Sequence, residues 1–263
     1  MSVNVLAATE EPYIPGPSSF DLPPIFGEGT IVTKPMVQIV LFAALAFAFL
    51  YFASRKRALV PGKLQFVGEA GYGFVRNSLG RDIIGSHDFQ KFVPYLVSMF
   101  FLLLFNNWAA AIPVIQFPTF SRAGLVYGLA LISWLVYNGV GIKKHGLLGY
   151  FKLQCMPSGV KGPILVLIVP LEFFSNILVR PVTLALRLFC NMFAGHLLLI
   201  LFAMGGYWLI FQSGVLGYVP VGILAWVLFT AIFFLELLIQ FLQAYVFTLL
   251  NAMYIAGALA DEH

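Results

Sequence analysis

The chain is poor in charge. Only 10% of its 263 residues are Asp, Glu, Lys or Arg, against 60% hydrophobic residues and a mean hydropathy of +0.92. A soluble domain of this length carries far more charge, so that class is excluded. Cysteine is nearly missing: Cys155 and Cys190 are the only two, read as one in a polar loop and one in a membrane helix. Neither a disulfide nor a metal-ligand cluster is expected from such a pair. No Gly-rich loop of the kind that cradles a phosphate is present, which argues against nucleotide binding. No basic stretch followed by an apolar core opens the chain, so residues 1–34 read as an irregular, Pro-rich acidic tail and not a signal peptide. The basic residues flank apolar runs and match no nucleic-acid-binding motif. No nucleic acid, metal or cofactor is therefore expected.

What the chain has is apolar length. Runs long enough to cross a bilayer recur throughout. The fold class they imply is an all-α polytopic membrane protein: three ordinary transmembrane helices, one interfacial amphipathic helix, and a hairpin of two long tilted membrane helices. The spans fall near 36–53, 92–112, 123–142, 163–211 and 219–260, within one transmembrane domain over 35–260 that is followed by a tail, 261–263. Between the first two spans, Leu64, Phe66, Val67 and Phe74 alternate with Lys63, Glu69, Arg76 and Asp82. That stretch is too polar to span and amphipathic enough to lie on the membrane surface, although a soluble loop helix fits the pattern equally. Arg55-Lys56-Arg57 closes the first span and Lys143-Lys144-His145 the third. Keeping these clusters cytoplasmic places the N-terminus outside and the C-terminus inside.

The stretch 163–211 is too long for one ordinary span. As helix it would measure about 70 Å, more than twice a hydrocarbon core. Either it turns at Arg180-Pro181, or it is one long tilted helix. A polar stripe favours one helix: at about 100° per residue, Asn176, Arg180, Thr183 and Asn191 fall within about 40° of Arg187, and Glu172 within about 60°. Arg187 lies far from either end of the apolar run. A guanidinium at the bilayer centre costs roughly 2.5 kcal/mol or more, and it does not escape by losing its proton. A structural arginine satisfied by neighbouring carbonyls is the plainer reading, but intramembrane charges mark function by default.

The last segment, 219–260, carries Glu236, Gln240, Gln243 and Asn251. If Arg187 and Gln243 sit at one level of an antiparallel pair, His196 and Glu236 differ in height by only about 3 Å. They can then meet at one depth on the outer side. Glu172 lies on the cytoplasmic side, about 22 Å from Arg187 along the axis. Two protonatable zones therefore flank a fixed positive charge. Asn106 and Asn107, in the outer half of the second span, suit either an aqueous path or a bond to a neighbouring helix.

At these residues the chain resembles subunit a of the F-type ATP synthases, and its overall look is similar to bacterial, actinobacterial members. The resemblance rests on Leu186-Arg187-Leu188-Phe189-Cys190-Asn191-Met192-Phe193-Ala194-Gly195-His196 and on Gln243-Ala244-Tyr245-Val246-Phe247. It implies that Arg187 is the family's essential arginine, that His196 and Glu236 are its access-channel pair, and that Asn191 and Gln243 are the polar residues beside the arginine. Asn107 matches a channel-lining asparagine, with Ala110 where some members carry an acid. Glu172 stands close to the cytoplasmic-side acid, with Asn176 and Thr183 as further lining. The implied function is a proton-translocating stator with two offset half-channels, not an enzyme on its own. The implied partners are the c-ring, the subunit b peripheral stalk, the rest of the ATP synthase complex and membrane lipid, at a bacterial plasma membrane. Two other classes compete. A secondary transporter would usually show inverted repeats, which the sequence lacks. A structural subunit would need no ion path.

Overall fold

The computed structural model describes residue 16 and residues 33–55, 61–112, 118–155 and 165–260. Most of the N-terminal tail, Lys56, Arg57 and the closing 261–263 lie outside the described residues. Helix α1 spans Lys34–Arg55. Helix α2, Lys63–Phe74, runs on through a π turn, Val75–Arg81, and a short piece, Asp82–Ile84. Helix α3 is Phe89–Ala109 and α4 is Ala123–Cys155. Helix α5, Leu165–Phe173, passes through a second π turn, Phe174–Val179, into α6, Arg180–Tyr207. A third π turn, Trp208–Gln212, closes α6, and α7 fills Val219–Leu259. Among the described residues there is no strand, and five helical stretches are long and apolar enough to cross a membrane.

The core gathers around α3, whose spanning window is 61% buried against 11% for each of the two long stretches. Leu96, Phe100 and Leu103 of α3 meet Val75 and Leu79 of the first π turn in one buried cluster. Phe74 of α2 stacks near Phe100 of α3 and Tyr245 of α7, with centroids 6.0 and 5.6 Å away. The amphipathic stretch is thus packed on one side against the spans. A polar hub ties three helices together. The Tyr95 hydroxyl lies 3.3 Å from both Ser133 Oγ on α4 and Asn251 Oδ1 on α7. The open lateral face belongs to the long pair.

The segment 163–211 does not turn at Arg180-Pro181. Helix continues through both residues, as the single-helix reading expects. The physical cause differs from the polar stripe, however. A proline inside a helix has no N–H to give and crowds the carbonyl four residues back, which for Pro181 is that of Ile177. The π turn widens the helix there, and the Trp134 indole of α4 donates to the Ile177 carbonyl at 3.0 Å. One extra residue in a turn shifts everything before it by about 100°. The stripe is broken in consequence: Asn176 is buried, whereas Thr183 and Arg187 are exposed on the free chain.

The third span also differs from its sequence reading. Helix does not stop at residue 142 but continues to a bend at Gly146, whose φ of 74° lies in the left-handed region that glycine tolerates best. Beyond it the chain doubles back, so that Tyr150 lies against Gly141 and its hydroxyl meets Asn138 Oδ1 at 3.0 Å. Cys155 is therefore not in a polar loop. It ends this returning helix and is buried. Lys144 donates to the Leu259 carbonyl at the end of α7, a favourable place for a cation.

Candidate functional site

Arg187 stands on the outer surface of α6. It is exposed on the free chain, flanked by exposed Leu186 and Cys190. Thr183, one turn back, turns its hydroxyl onto its own helix, 2.9 Å from the Val179 carbonyl and 3.0 Å from that of Arg180. Among the described residues no carboxylate forms an ion pair with Arg187; the pairs present involve Asp88 with His87 and Lys91.

Two contacts fix the register of α6 against α7. A Cβ at Gly195 would run into the Glu236 carboxylate, and the Arg180 guanidinium lies 5.3 Å from the Tyr254 ring centre. Gln243 is buried on α7, while Arg187 faces out from α6. The depth of His196 and Glu236 follows from Gly195: both side chains line one cavity of about 10 Å³, roughly enough for one water.

That cavity has a polar floor. Gln240, one turn along α7, places its Nε2 3.3 Å from Glu236 Oε1. Asn107 of α3 donates to the Gln240 backbone carbonyl at 3.1 Å, so this amide bonds a neighbouring helix. Asn106 instead donates to Leu102 of its own helix. On this cavity Gln240 is buried with its Oε1 lacking a protein partner, and so, elsewhere among the described residues, are Asn107 Oδ1, Thr119 Oγ1, Gln243 Nε2 and Asn191 Nδ2. Such groups are costly in a dry site and suit ordered water.

A separate network forms at the other end of the long pair. Asn176 donates to Glu172 Oε2 at 2.9 Å and to the Gln154 carbonyl at 2.7 Å. Gln154 in turn donates to the Tyr150 hydroxyl at 2.9 Å. The rings of Tyr137 and Tyr254 are 5.3 Å apart, beside Arg180. The structure therefore groups His196, Glu236 and Gln240 at one end, Glu172 and Asn176 at the other, and leaves Arg187 between them on the open face. Among the described residues no cluster of His, Cys, Asp and Glu could hold a metal ion.

The family described as ATP synthase A chain matches residues 36–256. The chain belongs to this family. An ATP synthase subunit a from Nocardioides sp. (strain ATCC BAA-499 / JS614) is 65% identical over 260 residues, covering 95% of this chain and 94% of that protein. Its counterpart in Pseudarthrobacter chlorophenolicus is 49% identical over 253 residues, with the same coverage. That of Streptomyces lividans is 42% identical over 252 residues, covering 95% of this chain and 88% of that protein. As an A chain, the molecule is a multi-pass membrane subunit of the F-type ATP synthase. It is a non-catalytic part of an enzyme whose remaining subunits are its partners.

Three residues to which the sequence reading gave no role, Gln240, Tyr150 and Gln154, turn up in the polar clusters. Gln240 belongs to the buried stripe Glu236, Gln240, Gln243, Asn251, whose helical spacing was available in the sequence. Tyr150 and Gln154 were hidden by the bend at Gly146, which folds them back against the part of α4 before it and against the second π turn. No local signal announces that fold-back.

Proposed function

We propose that this A chain supplies two offset proton half-paths to a rotating ring of c subunits, with Arg187 between them. A proton from outside enters through the cavity shared by His196 and Glu236 and neutralises a ring carboxylate. The neutral carboxyl then faces lipid, where its charged form would be costly. After almost a full turn it meets the cytoplasmic path near Glu172, Asn176 and Thr183 and loses its proton. Arg187 attracts the ionised carboxylate and blocks a direct hop between the paths, while Asn191, Gln243 and Asn107 line the outer route. Each charge crossing 100 mV supplies about 2.3 kcal/mol. The N-terminus lies outside and the C-terminus inside, and subunit b holds the chain against rotation.

One observation carries this reading: a guanidinium stands exposed on an apolar face, and no carboxylate among the described residues pairs with it. The missing anion is what a ring carboxylate would provide. ATP-driven proton pumping in membrane vesicles tests it. Arg187→Ala and Arg187→Lys should each abolish pumping with the complex still assembled, because a desolvated lysine can lose its proton. Normal coupled pumping by the alanine variant would return Arg187 to a packing role.

A further inference from the structure

Resting on that reading, we propose that Gln240 is a positioning residue for Glu236: its amide holds the carboxylate at the cavity and sets the outside pH at which the path loads. Gln240 is 2% exposed and Glu236 6%, so neither exchanges freely with bulk solvent. The Gln240 Nε2 is 3.3 Å from Glu236 Oε1, and the Asn107 amide pins the Gln240 backbone from α3. On the other side of the carboxylate, Gly195 leaves only the space of its missing Cβ. The carboxylate is thereby gripped between a close backbone and an amide donor. The second half of the Gln240 amide, Oε1, is buried with no protein partner and lines the same cavity. It suits a water that also reaches Glu236.

Among the described residues, His196 of α6 is the titratable neighbour of Glu236 on the cavity, and from α3 and the segment after it come the neutral residues Asn107, Ala110 and Pro118. Arg187 lies nine residues inward of His196. A donor N–H favours the ionised form of a carboxyl.

The test is ATP synthesis by inverted membrane vesicles whose lumen, the outer face, is preset to a series of pH values at constant total driving force. Gln240→Met keeps the length and packing but has no amide. It should move the midpoint of the rate profile upward by about half to one pH unit, with the complex assembled. Gln240→Glu places two carboxyls one helical turn apart and should move it further the same way. It also serves if the methionine variant fails to assemble. An unmoved midpoint in an assembled variant overturns the positioning role. Arg187→Ala, run alongside, separates the two claims. If it still synthesises ATP, the proposed function fails. If it is inactive while Gln240→Met follows the wild-type profile, only the role of Gln240 falls.

Discussion

Gly195 acts through the atom it lacks. The Glu236 carboxylate occupies the space where a Cβ would stand, so Gly195→Ala must push that side chain into another rotamer. Because the displaced group is the far end of a flexible side chain, the helices themselves can stay in place. The expected outcome is an assembled complex whose pumping falls about tenfold or more, since displacing a reacting group by about 1 Å is that costly. Adding Glu236→Asp, one methylene shorter, should recover part of the loss in the same pumping assay. At this scale the sequence was most legible where chemistry is least forgiving. Arg187 stands out because an arginine deep in an apolar run is rare and costly. Gln240 does not, because its placement depends on Asn107, 133 residues earlier, which donates to its backbone carbonyl, and on a carboxylate one turn away that accepts from its amide.

At the scale of elements, Pro181 explains most of what the helical count misjudged. A regular 100° step keeps Asn176 and Arg187 on one face, whereas the π turn rotates them apart, leaving one buried and the other exposed. The continuity of the long helix was legible, since nothing with turn chemistry other than Arg180-Pro181 interrupts it. Its phase was not, because the widening depends on Trp134 accepting the role of partner to a displaced carbonyl. Trp134→Phe keeps the ring and removes the donor. Leaving the Ile177 carbonyl unpaired in an apolar setting should cost about 1 to 2 kcal/mol. A fall of roughly 2–8 °C in the thermal midpoint of the purified complex would register it. An unchanged midpoint would mean the π turn holds itself. The bend at Gly146 was illegible for a related reason: a lone glycine in a long apolar pattern is ordinarily tolerated without a change of direction.

For the molecule as a whole, burial is lopsided. α3 is enclosed by its neighbours, whereas the two long stretches present most of their surface outward. The count of spans and their order were plain from hydropathy, but which side stays open required knowing who packs against whom. The two cysteines report on that asymmetry. Cys190 is exposed, one turn from Arg187, and Cys155 is buried. A maleimide should label Cys190 quickly in the detergent-solubilised chain and several-fold more slowly in the intact complex, with Cys155 slow in both. Equal labelling of Cys190 in the two would mean that this face is not the one the complex covers. The exposed guanidinium also bears on biogenesis. A newly made α6 must partition from the translocon into lipid before any partner covers Arg187. A central arginine opposes that step by about 2.5–3.5 kcal/mol, and each Leu, Ile or Phe favours it by about 0.3–0.6. Leu188, Phe189, Phe193 and the run from Leu197 to Phe202 together tip the balance toward entry. Thinning that run with polar residues would strand the helix outside the bilayer during synthesis, before a single proton had been carried.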